Sequence, residues 1–107
     1  MLVDVRTYTI KPGCTAAWLE IYEKLGFPVQ QRHIGQPLCY LQAETGELNT
    51  LVHLWVYESA ADREQRRGAM AKDPEWRKFL DASRESGYIV AQKNSQMTPV
   101  KFAPIKR

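Results

Sequence analysis

An α+β fold with a four-stranded antiparallel sheet is predicted by three observations. Four stretches alternate with the period of a strand, two stretches carry apolar residues at helical spacing, and they follow one another as β-α-β-β-α-β. The clearest strand is Thr50-Leu51-Val52-His53-Leu54-Trp55-Val56-Tyr57, in which every residue but His53 is β-branched, aliphatic or aromatic. Successive side chains point to opposite faces. Val52, Leu54 and Val56 therefore form one row, and Leu51, His53, Trp55 and Tyr57 the other. A strand apolar on both faces must be covered on both.

The first strand runs from Leu2 to Ile10, with Val3, Val5, Thr7 and Thr9 opposite Asp4, Arg6 and Tyr8, and Lys11-Pro12-Gly13 turns the chain. From Cys14 to Leu25 a stripe of Trp18, Ile21, Tyr22 and Leu25, continued by Val29, marks a helix. Pro28 can neither donate to the carbonyl four residues back nor avoid crowding it. A kink, or a short second helix with Pro28 in its first turn and a stop at Gly35, is expected. Leu38 to Glu44 is the second strand, and the loop 45–49 closes a hairpin with the central strand. Ser59 caps the next helix, with Asp62 at the third helical position. Asp73-Pro74-Glu75 restarts it as cap, first helical residue and N-terminal acid, and Trp76, Phe79, Leu80 and Ser83 form its inner stripe. Ser86-Gly87 stops it before a last strand, Tyr88 to Met97. Residues 1–97 thus form one domain of ferredoxin-like topology, and 98–107, with two prolines, an extended C-terminal tail.

Composition narrows the function classes. The chain has 107 residues, 44% hydrophobic and 25% charged, enough for one core without staples. The net charge of +3 is mild and no basic stripe is interleaved with aromatics, so nucleic acid is not an expected partner. Cys14 and Cys39 lack metal spacing and lie on different elements, as expected of buried thiols in a reducing compartment. The start of the chain runs straight into a strand pattern, without signal or transit character, and no run is long enough to span a membrane. A cytoplasmic protein with no membrane partner is expected.

The two faces of the sheet are assigned by bulk. The helical stripes are large (Trp18, Tyr22, Trp76, Phe79), and close packing favours setting them on the smaller row of Val3, Val5, Thr7, Cys39, Leu41, Ala43, Val52, Leu54 and Val56. Arg6, Tyr8, Tyr40, Gln42, His53, Trp55 and Tyr57 then point away from the chain's own helices. Strands of this length make a face of roughly 450 Å², at the limit of what a soluble monomer leaves exposed. A second copy laid on that face is the expected cover, so a homodimer is predicted.

Several segments carry a resemblance. Arg6-Thr7-Tyr8-Thr9-Ile10-Lys11-Pro12-Gly13, Arg32-His33-Ile34-Gly35, Leu48-Asn49 leading into Val52-His53-Leu54-Trp55-Val56-Tyr57, Asp62-Arg63 with Arg66-Arg67, and Asp73-Pro74-Glu75-Trp76 together resemble the NIPSNAP family over nearly the whole chain. The resemblance implies a dimeric α+β barrel and brings no established reaction. It implies kinship with bacterial single-domain members of undefined function, whereas eukaryotic members are associated with mitochondria and protein interaction. The wider barrel superfamily holds cofactor-free oxygenases, haem-degrading enzymes and small-molecule isomerases, an analogy of fold alone.

Candidate site residues follow from the rows. His53 is the only titratable residue in the middle of the central strand, and beside Arg6, Tyr8, Tyr40, Trp55 and Tyr57 it is placed to bind an aromatic acid or carry a proton. The competing reading is a hydrogen-bonded interface histidine. Arg6 is placed to hold a ligand carboxylate or to pair with Glu44 across the sheet. Arg63 and Arg67, on the sheet side of their helix with Ala60, Met70 and Ala71, are a candidate anion site, or else pair with acids; Asp62 and Arg66 form a surface pair. His33 reads as a helix-end histidine. Two histidines without a convergent third ligand give no metal signature, and no cofactor is expected. Two functions compete: a homodimeric small-molecule-binding protein, including a cofactor-free enzyme on a hydrophobic or aromatic substrate, and a non-catalytic homodimeric interaction module. The pocket of the first lies on the Arg6–Tyr57 row, or between the sheet and the kinked first helix.

Overall fold

The computed structural model describes residues 1–107. Strand β1 (Leu2–Ile10) is followed by α1 (Thr15–Ile21), a π-helical turn (Tyr22–Gly26) and α2 (Phe27–Ile34). Then come β2 (Cys39–Gln42), β3 (Thr50–Tyr57), α3 (Ala60–Ala71), α4 (Pro74–Ser86) and β4 (Ile89–Met97). The sheet is antiparallel in the order β2-β3-β1-β4, the ferredoxin-like arrangement expected from the element order.

Local chemistry explains the boundaries. Ser59 Oγ accepts the Asp62 backbone N–H at 3.1 Å, and Asp62 returns a bond by accepting the Glu58 N–H at 3.0 Å. Asp73 accepts the Glu75 N–H at 2.9 Å with Pro74 in the first turn of α4, and Gly87 ends that helix in the left-handed region at φ 67°. Gly35, at φ 77°, ends α2. Of the two outcomes expected at Pro28, the structure has the short second helix, with the proline in its first turn and Gly35 as its stop; a π-turn, in which the Phe27 N–H reaches back to the Tyr22 carbonyl, joins it to α1.

The faces are the reverse of those expected. Leu51, His53, Trp55 and Tyr57 are all buried beneath the helices, whereas Val52, Leu54 and Val56 are only half-buried. The core joins Leu51, Trp55 and Tyr57 to Trp18, Tyr22, Val29, Ile34, Met70, Trp76 and Phe79. Matching large residues to small ones misled, since large side chains from both layers meet directly, as in the Tyr8–Trp18 and Tyr22–Tyr40 ring pairs at 5.7 and 5.1 Å. Covering the aromatic row also removes more apolar area from water than covering valines. The face left without helices is the β-branched one, with Val5, Thr7 and Cys39 half-buried and Leu41 54% and Met97 55% exposed.

Smaller expectations are also corrected. Arg6 pairs with Asp4, two residues away on the same face, and not with Glu44. His33 does not cap its own helix: its Nε2 lies 2.8 Å from Asp73 Oδ2, tying α2 to the start of α4. Both cysteines are half-buried free thiols. Residues 98–107 contain neither helix nor strand, and Arg107 donates to the Gln36 carbonyl at 2.6 Å. No helix is long and apolar enough to cross a membrane.

Candidate functional site

The register lines up one row across the sheet: Tyr40 on β2, His53 on β3, Arg6 on β1 and Asn94 on β4. Above it lie α1, the π-turn, α2 and α4, and between these layers is a cavity of about 270 Å³. Its floor is Arg6, Tyr8, Tyr40 and His53; its roof is Trp18, Tyr22, Trp76 and Phe79, with Arg67 of α3 at one end. The exposed Leu80 and Gln92 also line it and mark its open side. Of the sequence-derived candidates, Arg6, Tyr8, Tyr40, His53 and Arg67 meet here. Trp55 and Tyr57 are buried next to it in the core, and Arg63 turns to Asp4.

His53 is held on every side. Its ring stacks on Tyr40 with centroids 4.3 Å apart and planes at 8°, and meets the edge of Tyr8 at 4.7 Å and 85°. Trp55 Nε1 donates to His53 Nδ1 at 2.7 Å. An indole N–H can only donate, so Nδ1 carries a lone pair and the proton of the neutral ring sits on Nε2. Burial, and then the neighbouring Arg6 cation, push the imidazole down to about 3, so the ring is neutral at pH 7. A neutral Nε2–H donor with its other nitrogen engaged is not a general base. Burial likewise pushes the Tyr22 and Tyr40 phenols up, so both keep their protons.

Asp4, which sequence reasoning did not single out, is wholly buried and accepts from Arg63 Nε at 3.0 Å and Arg6 Nη1 at 3.3 Å. Its signal was present in the alternation: an acid on the same inward row as Arg6 must meet cations. Gln30 was also missed; it is buried on α2 and accepts the Tyr22 hydroxyl. Gly26 has a steric role. A Cβ there would lie 2.9 Å from the rings of Phe79 and Tyr22, so the π-turn and its glycine let two roof residues close over the cavity.

Several buried polar atoms have no partner: His53 Nε2, the Tyr40 and Tyr57 hydroxyls, Arg67 Nη1 and Asp4 Oδ1. Native interiors leave few such groups. Three of them belong to residues lining the cavity, and all three can donate. The arrangement can hold an acceptor or stabilise developing negative charge. No cluster of three or more metal-ligating side chains is present.

This architecture is shared with proteins of distant sequence. A putative antibiotic biosynthesis monooxygenase from Nitrosomonas europaea superposes with a TM-score of 0.66 at 14% identity, covering 94% of this chain and 99% of that one, a likeness of fold alone. The chain itself belongs to the NIPSNAP family, whose model matches residues 3–104. Protein Atu4242 from Agrobacterium tumefaciens is 35% identical with a TM-score of 0.91 over 99% of this chain and 100% of its own. A NipSnap homolog from Dictyostelium discoideum is 33% identical over 92% of this chain and 43% of its own length. The chain spans less than half the length of the curated relatives it matches.

Proposed function

We propose that this NIPSNAP protein is a homodimer that binds a small, ring-containing molecule in the cavity between sheet and helices of each protomer. The observation that carries the reading is the 270 Å³ cavity, roofed by aromatics and bordered by buried donors without partners. A cavity of about 150 Å³ admits benzene, so there is space for one substituted ring. An interaction module in which the His53 row seals the dimer loses its basis, because that row faces the chain's own helices. The dimer is inferred from the other face, where half-buried Val52, Leu54 and Val56 and exposed Leu41 need a cover that the chain does not supply. Catalysis on this reading would draw on donors and cations that stabilise negative charge, with no step assigned to a base.

The test is thermal unfolding at fixed protein concentration against a panel of single-ring acids and their neutral amides. A ligand at about a hundred times its dissociation constant stabilises by ~2.7 kcal/mol, which is roughly 10 °C or more for a domain of this size. The absence of any shift across the panel overturns the reading.

A further inference from the structure

We infer that the cavity is selective for an anion: a single-ring carboxylate whose charge is met by Arg67, with neutral donors from His53 and Tyr40 beside it. The inference rests on the proposed pocket and adds the chemical class of its ligand.

The interior is unbalanced in both charge and hydrogen bonding. Three guanidinium groups, Arg6, Arg63 and Arg67, gather around the sheet, and one buried carboxylate, Asp4, serves them. Asp4 Oδ2 takes both Arg6 and Arg63, and its second oxygen, though unpartnered, makes no ion pair with Arg67. Arg67 makes no ion pair; its guanidinium lies close to the neutral Tyr57 hydroxyl, but its buried Nη1 forms no hydrogen bond of full geometry. A guanidinium is always charged and only donates. Leaving it half-buried and uncompensated is costly unless something else brings the counter-charge.

The hydrogen-bond inventory points the same way. No aspartate or glutamate lines the cavity. Its amide and serine acceptors are engaged: Gln30 Oε1 takes the Tyr22 hydroxyl, and Ser83 Oγ takes Trp18 Nε1 at 3.4 Å, which leaves only phenol oxygens, able to donate as well as accept. His53 offers an N–H because Trp55 holds its other nitrogen. Tyr40 offers an O–H that nothing in the protein accepts. A cavity with spare donors, spare positive charge and no spare acid selects a ligand rich in acceptors and negatively charged. The aromatic roof sets its shape. Trp18 and Tyr22 lie parallel, 5.3 Å apart and 5° from coplanar, with the Phe79 edge against both. Planar rings stack or meet edge-on with such surfaces.

The experiment is titration calorimetry with benzoate, salicylate and phenylacetate, each beside its own carboxamide, on the wild-type chain, Arg67→Gln and Arg67→Lys. The carboxylates should bind at least about tenfold more tightly than the amides, as charged hydrogen bonds do over neutral ones. Arg67→Gln should bring each pair to equal affinity, and Arg67→Lys should keep most of the preference. Circular dichroism confirms that both variants are folded, and the lysine variant keeps the test alive if the glutamine variant is not. Amides that bind as well as the acids overturn the anion inference while leaving the pocket standing. A preference for acids that survives in Arg67→Gln overturns the role given to Arg67. Failure of acids and amides alike overturns the inference together with the pocket.

Discussion

The two faces of one strand, β3, differ in size, polarity and burial. Its inward row is Leu51, His53, Trp55 and Tyr57, large, partly polar and buried to the last few per cent; its outward row is Val52, Leu54 and Val56, apolar and only half-covered. The inward face carries the chain's polar complexity: a buried carboxylate, the arginines around it, a neutral histidine and the cavity. The outward face is apolar and largely β-branched. On the function proposed above, the mixed chemistry of the inward face serves a small molecule, whereas the β-branched outward face is suited to a second sheet, which asks only for shape and apolar area.

The largest expected effect breaks this contrast directly. Trp55→Asp places a carboxylate where no atom is exposed and removes the donor that orients His53. The lost packing alone costs about 3–5 kcal/mol, a large part of the ~5–15 kcal/mol by which domains are stable. The variant should be unfolded, or nearly so, by circular dichroism at 25 °C. Leu54→Asp, one residue away on the other face, should stay folded and instead lose self-association, sedimenting as the 12.3 kDa chain. A folded Trp55→Asp protein would mean that the two rows have been exchanged.

The sequence carried most of this architecture. Alternation in β3, the Ser59 and Asp73 caps and the glycines at 35 and 87 mark elements that local chemistry alone determines. Which row meets the helices was not legible, because both rows of β3 are apolar, and bulk complementarity is a statement about a gap whose width no single strand reveals. Asp4 and Arg6 held the missing clue. Both lie on the Trp55 row, and a β-branched row opposite two charges looks like the buried one until the charges are seen to pair with each other and with Arg63. The π-turn was legible only as a disturbance at Pro28, since widening and breaking both relieve the same missing N–H. Arg67 was readable from helical spacing; its lack of a counter-ion was not, because that depends on which acids reach it in three dimensions.

An intermediate effect sharpens the account of the inward face. Gly26→Ala normally gains helix stability, by about 1 kcal/mol in an exposed interior position. Here Gly26 has a helical φ of −97° and needs no glycine for its backbone. The new methyl would instead press on the Phe79 and Tyr22 rings at 2.9 Å. Overpacking of this kind costs about 1–3 kcal/mol, so the variant should have a lower urea midpoint than the wild type, with a narrowed cavity and weaker ligand binding. A gain in stability would show that the roof yields easily and that the glycine has no part in shaping the pocket.

The last effect concerns His53, is small over the pH range that is tested, and is read against pH. In the unfolded chain its imidazole takes up a proton near pH 6.5; in the folded chain burial, then Arg6, hold it down to about 3. Between those values the unfolded state binds more protons, so stability falls as pH falls. The contribution is complete above about pH 6.5 and is lost progressively towards pH 3, at no more than about 1.4 kcal/mol per pH unit. Urea midpoints for the wild type and for His53→Gln, taken in steps from pH 7 to about pH 5, isolate this share, because glutamine can still accept from Trp55 and still offer an N–H. The wild type should lose stability faster than the variant on acidification. Parallel curves would mean that the folded protein takes the proton as readily as the unfolded one. That result would remove the neutral donor from the cavity floor, since Trp55 Nε1 can only donate and a proton on His53 Nδ1 would set one N–H against another.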